Sequence, residues 1–392
     1  AKGKKLSDGI YEEIRGNNVF LTIDEGLQYI VEKHLDEAMN KWKASSATVI
    51  MMEPFTGEIL ALANRPTYNP NNLEALKNLS VIRNRAITDL YEPGSTFKII
   101  TVASALEEKI INTLTKIDCS PGFIEVGGKK IKDVHKNGVL SIGEIIQKSS
   151  NVGTIKIAMR LGKERLYEYI KKFGIGEKTG IDLPGEVSGY LKPTNKWSGT
   201  SIGAIPIGQE VAVTALQVLR VYSAIANGGY LVKPFIVSEI RSFNGDILYK
   251  AIIQRERILS EETANTMREI LKKVTQEGGT APTAKVEGNN VAGKTGTAQK
   301  YDPKIKKYSK DKFVSSFIGF IPAEKPRISM IVVIHDPKGS HYGGVVAAPV
   351  FKAISDEALA YLNIPRDDAK EKGLIVTINS YDEANRKVVT FR

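Results

Sequence analysis

Gly94-Ser95-Thr96-Phe97-Lys98 sets a serine three residues before a lysine where a helix is expected to begin. One helical turn brings the Lys98 amine under the Ser95 hydroxyl. A serine is a poor nucleophile near neutral pH and needs an adjacent base to take its proton as it attacks a carbonyl. Lys98 can be that base if burial and a neighbouring cation lower its pKa. A helix start also offers free backbone N–H donors that can hold an oxyanion. Alone, the pair is better explained as an N-cap and a solvated helix residue. Two further triplets change this: Ser149-Ser150-Asn151 after an amphipathic stretch, and Lys294-Thr295-Gly296 (followed by Thr297) before two apolar, strand-like runs.

The elements that must position these residues follow from periodicity. Asn18 to Thr22 alternates as a strand, and Asp24 is a plausible N-cap for a helix with an apolar face of Leu27, Ile30, Val31, Leu35 and Met39. Strands Ala47 to Met52 and Glu58 to Ala63 flank the turn Glu53-Pro54-Phe55-Thr56-Gly57. A loop-rich segment then leads to helical stretches at Thr96 to Glu108, Ile142 to Lys148, Asn151 to Leu161, Lys163 to Phe173 and, beyond a Gly, Pro and Ser-rich region, Val211 to Asn227. The pattern turns to strand at Val291 to Ala298, Phe313 to Ile321 and Arg327 to His335, and Ala348 to Leu362 closes with a helix. The simplest topology is a helical lobe inserted between the first and last strands of one sheet. Gly373 to Ile378 and Lys387 to Phe391 add two strand candidates, as an appended hairpin or an extra piece of sheet.

The order and spacing of the three motifs resemble those of penicillin-binding proteins and class A β-lactamases. The resemblance extends through Arg83-Asn84-Arg85-Ala86, Asp89-Leu90-Tyr91-Glu92-Pro93-Gly94-Ser95, Gln147 to Gly153, Tyr342-Gly343-Gly344 and Ala347-Ala348-Pro349-Val350-Phe351. In these segments the chain is similar to a monofunctional, class B penicillin-binding protein of the cell-division type. The resemblance covers residues 18 to 363. It departs at Glu210, where many relatives have glycine, which puts local loop shape in question.

The resemblance implies an α/β (α+β) penicillin-binding transpeptidase fold, a mainly antiparallel central sheet flanked by helices. Residues 1–17 would be a linker remnant of a pedestal, 18–363 the transpeptidase domain and 364–392 a C-terminal tail. It makes Ser95 the nucleophile and Lys98 its base, a partly exposed pocket residue. Ser149 passes a proton between the lysine region and the leaving amine, and Asn151 binds the substrate amide. Lys294, Thr295, Gly296 and Thr297 are expected on an edge strand, where Gly296 lets a substrate backbone approach and the threonine hydroxyls and Lys294 charge receive a terminal carboxylate. The backbone N–H groups of Ser95 and Thr297 would form the oxyanion hole. The implied reaction is cross-linking of peptidoglycan stem peptides through a Ser95 acyl-enzyme, blocked covalently by β-lactams. The alternatives are a carboxypeptidase or β-lactamase, in which water resolves the same intermediate, and a non-enzymatic β-lactam sensor or wall-binding domain. Glu186 is the nearest candidate for a deacylating base. Implied partners are a multi-pass membrane glycan polymerase and division proteins, with an N-terminal anchor in the cytoplasmic membrane and the catalytic domain outside.

Composition narrows the field. A formal charge of +11 is spread along the chain rather than gathered on a basic, aromatic-interleaved helix, which argues against a nucleic-acid partner. Cys119 is the only cysteine, so no intramolecular disulfide can form, and the four histidines (His34, His135, His335, His341) lack ligand spacing. No metal and no cofactor is expected. No apolar run reaches the roughly 20 residues of a membrane span; the start at Ala1, in a basic segment, reads as a fragment of a longer protein. Gly199-Thr200-Ser201-Ile202-Gly203 fits the esterase nucleophile pattern, but that pattern needs a strand before it, and the flanking Pro193 and Pro206 argue against one.

Overall fold

The computed structural model describes residues 16–72, 74, 77–302 and 307–366. Five antiparallel strands form the central sheet: β1 (Ser46–Met52), β2 (Ile59–Arg65), β3 (Ala292–Asp302), β4 (Lys307–Ile321) and β5 (Ile328–His335), in the order β3-β4-β5-β1-β2. Every residue of β1 and β5 is buried, which explains their near-continuous apolar runs, because central strands covered on both faces have no polar side to present. Strand β2, at an edge, alternates buried and half-buried positions.

The chain between β2 and β3 leaves one edge of the sheet and returns to the other, so the helical lobe spans its full width. That lobe contains α2 (Lys98–Glu107), α3 (Ile142–Gln147), α4 (Asn151–Leu161), α5 (Ala215–Ala226) and α6 (Glu261–Lys272). All twelve residues of α5 are buried, and it packs on β1, β4 and β5. Helix α1 (Glu25–Trp42), capped by Asp24 as expected, and α7 (Ala348–Tyr361) pack on each other and on the sheet.

The insertion topology and the main elements agree with the sequence reading, with local differences that include small two-stranded pairs such as Phe123–Val126 with Lys129–Lys132. Gly94–Phe97 form a 3-10 turn, and the α-helix starts only at Lys98. Val211–Ala212 pair as a strand with Tyr190–Leu191; the helix waits for Thr214, whose capping box with Gln217 satisfies its first N–H groups. Helix α6 was not anticipated, although Ser260 caps it and Glu261 and Glu262 occupy its first turn. A small sheet of Asn18–Leu21, Val237–Arg241 and Ile247–Lys250 was foreseen only in its first strand. The linker through residue 15 and the two C-terminal strand candidates lie outside the described residues.

Candidate active site

Three segments from different parts of the fold converge at one end of α2. The first is the Ser95 turn. Gly94 there has φ +56 and sits so close to β3 that a Cβ would lie 3.3 Å from the Thr297 carbonyl oxygen. Its N–H donates to the Gly208 carbonyl at 3.1 Å, and a Cβ on Gly208 would meet the Gly94 carbonyl at 2.2 Å. Glycine is therefore required at both positions, and the Pro93–Ser95 turn is wedged between β3 and the loop ending at Gly208. Gly94, the residue before Ser95, thus packs its backbone against Thr297 of β3.

The second segment is the turn between α3 and α4. Ser149 adopts φ +57, a left-handed conformation that costs a non-glycine residue about 1 kcal/mol or more. The kink aims its carbonyl at the Lys98 amine, which donates to it at 2.5 Å and reaches the Ser149 hydroxyl at 3.2 Å. The Asn151 amide is fixed by donation to the Lys132 carbonyl at 2.7 Å.

The third segment is β3, an edge strand as expected, paired with β4 through Lys294 opposite Ile318 and Thr297 opposite Ser315. The Lys294 amine donates to the Ser149 hydroxyl at 2.9 Å and to its own neighbour's carbonyl, Thr295, at 3.3 Å. One serine hydroxyl is thus bracketed by two lysine amines.

Both lysines are fully buried, which corrects the partly exposed Lys98 expected from sequence. Burial lowers the Lys98 pKa to about 7, with the negative charge of Asp133 opposing the shift. Burial also holds Lys294 well below the usual lysine range, and the charge of Lys98 depresses it further. A second amine does lie beside Lys98, but the downward shift at Lys98 comes from desolvation and not from a neighbouring cation. Two buried amines that share one hydroxyl disfavour being charged together.

Strand β3 carries a second difference. A Cβ at Gly296 would fall 2.3 Å from the Ser316 hydroxyl, 3.0 Å from Thr96 and 3.2 Å from the Pro93 carbonyl. The close approach at this glycine is made by the protein's own Ser316 on β4 and, next, by the Ser95 turn. Thr295 is buried and shares a hydrogen bond with the Thr280 hydroxyl at 2.9 Å. The Thr297 hydroxyl accepts from the Gly343 N–H at 3.1 Å, which leaves its own hydrogen free to donate. Thr280 and Gly343 were not singled out as support for this strand.

The decoy and the alternative base are both occupied elsewhere. Ser201 starts a four-residue helix with no strand before it, and its hydroxyl donates to Glu210 at 2.7 Å. Glu210, at φ +58, spends its side chain on Ser201 and Lys192 and its N–H on Glu92, so the residue that departs from glycine keeps the left-handed backbone. The Glu186 carboxylate is buried and accepts from the Thr179 N–H and hydroxyl and the Gly180 N–H, a loop-fixing role. Among the described residues no cluster of three or more His, Cys, Asp or Glu side chains is placed to hold a metal.

Half-buried serines backed by two buried lysines, between an antiparallel sheet and a helical lobe, agree with the penicillin-binding transpeptidase fold. The chain belongs to the penicillin-binding protein transpeptidase domain family, whose model matches residues 47–356. It is 38% identical over 384 residues to stage V sporulation protein D of Bacillus subtilis (strain 168), covering 95% of this chain and 58% of that protein. It is 35% identical over 352 residues to the peptidoglycan D,D-transpeptidase FtsI of Escherichia coli (strain K12), covering 90% of this chain and 57% of that protein. Among solved structures, penicillin-binding protein 3 of Mycobacterium tuberculosis complexed with aztreonam superposes with a TM-score of 0.84 at 33% identity, covering 90% of this chain and 81% of that one. The chain spans less than two thirds of these two relatives' length.

Proposed function

We propose that residues 18–363 are the transpeptidase domain of a class B penicillin-binding protein that cross-links peptidoglycan stem peptides. Neutral Lys98 takes the Ser95 hydroxyl proton as Oγ bonds to the penultimate D-Ala carbonyl carbon, and the Ser95 and Thr297 N–H groups stabilise the oxyanion. The C–N bond then breaks, and the proton returns through Ser149 to the departing D-alanine amine. An amine from a neighbouring stem attacks the ester, gives up its proton along the same route and restores Ser95. Asn151 orients the substrate amide. Lys294, Thr295, Gly296 and Thr297 form the carboxylate side of the site, and an arriving carboxylate favours a proton on Lys294. β-Lactams would acylate Ser95 in the same way. The main support is the Ser149 hydroxyl held between two buried amines next to the Ser95 turn. The engaged Glu186 carboxylate counts against water-driven deacylation at that residue.

By likeness to FtsI-type relatives, the whole protein would be anchored in the cytoplasmic membrane with this domain outside, beside a multi-pass glycan polymerase and division proteins. No helix among the described residues is long and apolar enough to cross a membrane. The decisive test offers a stem-peptide or thioester analogue with a D-amino acid acceptor. Acceptor-containing product is expected. Hydrolysis alone would indicate a carboxypeptidase or, with penicillin, a β-lactamase; an adduct that never turns over would indicate a sensor.

A further inference from the structure

Asp133, three residues before Lys136 in the turn after strand Lys129–Lys132, is absent from the three motifs but holds the middle one together. Its Oδ1 accepts from the Asn151 N–H at 2.5 Å and the Val152 N–H at 3.0 Å, the free donors at the start of α4. Its Oδ2 accepts from the Ser150 hydroxyl at 2.7 Å and the Asn137 amide at 3.1 Å. Ser150 in turn caps α4 by accepting from Gly153. The residues on either side of this clamp are functional: Ser149 is kinked at φ +57 with its carbonyl on Lys98, and Asn151 is tied to Lys132, the neighbour of Asp133. A strained residue persists only when its surroundings over-determine it, and four hydrogen bonds to one carboxylate do that here.

The charge has a second consequence. The Asp133 carboxylate acts on Lys98 across the turn, and Lys294 on β3 faces Lys98 from the other side. Other charges on elements packed against α2 are spent at its far end: Glu107 accepts from Ser260 at the start of α6, and Glu108 pairs with Arg165 of helix Lys163–Lys172. Within α3, Glu144 closes a capping box with Ser141. Asp133, bonded to the residues that follow Ser149, is thus the anion that acts on Lys98, which meets Lys294 at the Ser149 hydroxyl.

Resting on the acyl-transfer reading above, we propose that Asp133 is a positioning residue for this site: it locks the Ser149-Ser150-Asn151 turn and sets its negative charge beside the Lys98 amine.

Two variants separate the two parts, each measured as second-order acylation by a chromogenic penicillin across pH 5 to 10 after its thermal melt shows a folded protein. Asp133→Asn keeps the size and one acceptor oxygen for the Asn151 and Val152 N–H groups, loses the acceptor for Ser150 and Asn137, and removes the charge, so less opposes the loss of a proton from Lys98. The rising limb of its pH profile should move to lower pH, with a plateau about tenfold lower or less. Asp133→Glu keeps the charge but displaces the clamp, so its limb should stay near the wild-type pH while its plateau falls. A Asp133→Asn limb at the wild-type pH would overturn the charge role, and a Asp133→Glu plateau equal to wild type would overturn the clamp. If Asp133→Asn fails to fold, the Asp133→Glu plateau still decides the clamp, and its limb, expected at the wild-type pH because the charge is kept, still tests the charge. Ser95→Ala run alongside keeps the outcomes distinct: if it is still acylated, the acyl-transfer reading fails whatever Asp133 does.

Discussion

Ser149 and Ser201 each place a hydroxyl within a hydrogen bond of an ionisable group and near a lysine, yet the two surroundings have opposite electrostatics. At Ser201 the neighbours cancel: Lys192 and the serine both donate to Glu210. Burial works against that carboxylate, but the hydrogen bonds from Lys192 and Ser201 outweigh it and keep its pKa below the usual range. The proton positions are fixed near neutral pH, and such a network staples a loop. At Ser149 two buried amines meet one hydroxyl, and the anion that acts on Lys98, Asp133, bonds to the backbone and Ser150 instead of to either amine. The two amines compete for charge beside one hydroxyl, an arrangement that suits a relay.

The sharpest way to break this contrast is to remove the groups of the first cluster. Ser95→Ala should abolish the mass increase of one inhibitor that penicillin gives the wild type, and an adduct elsewhere would displace Ser95 as nucleophile. Lys98→Met, which keeps the aliphatic bulk of a fully buried side chain, should slow acylation by about 10² to 10⁴. A wild-type rate in that variant would remove Lys98 as the base.

A smaller effect sharpens the electrostatic half of the comparison. Lys98 is held at about 7 when folded and has an ordinary value of 10.5. The unfolded chain therefore binds more protons between those values, and this residue makes stability rise with pH across that window. The full difference is present below about pH 7 as a cost and is gone above 10.5. The limiting slope is about 1.4 kcal/mol per pH unit for one proton. Denaturant unfolding at several pH values, wild type against Lys98→Met, should show that slope in the difference. Parallel curves would mean that Lys98 is not desolvated.

These features differ in how far the chain alone displayed them. Motif order and the 3.6 and 2.0 residue periods are local, so the serine turn, the edge strand with Lys294, and helices such as Asn151–Leu161 could be read directly. The start of α5 was misjudged because Val211-Ala212-Val213 is apolar enough to continue a helix, while its use as a strand depends on a distant partner, Tyr190–Leu191. Burial of Lys98 and Lys294 could not be read either, since it arises where the Ser95 turn, the Ser149 turn and β3 close on one another. Asp133 lies 16 residues before Ser149 and has no fixed spacing to mark it, although a carboxylate ahead of a helix start is a signal that could have been weighed.

The smallest expected effect belongs to the second cluster. Ser201→Ala removes one donor from Glu210 and leaves the ion pair with Lys192 intact, because both contacts use the same oxygen. The carboxylate stays ionised and partnered, so the loss should be about 1 kcal/mol of stability. The loop that ends at Gly208, against which the Ser95 turn packs, is also held by the Gly94 to Gly208 hydrogen bond and by the Glu210 N–H on Glu92. Neither involves the Ser201 hydroxyl. Penicillin acylation should accordingly proceed at the wild-type rate with an unshifted pH profile. A large fall in rate with an unchanged melting temperature would place Ser201 in the chemistry and erase the distinction between the two serines.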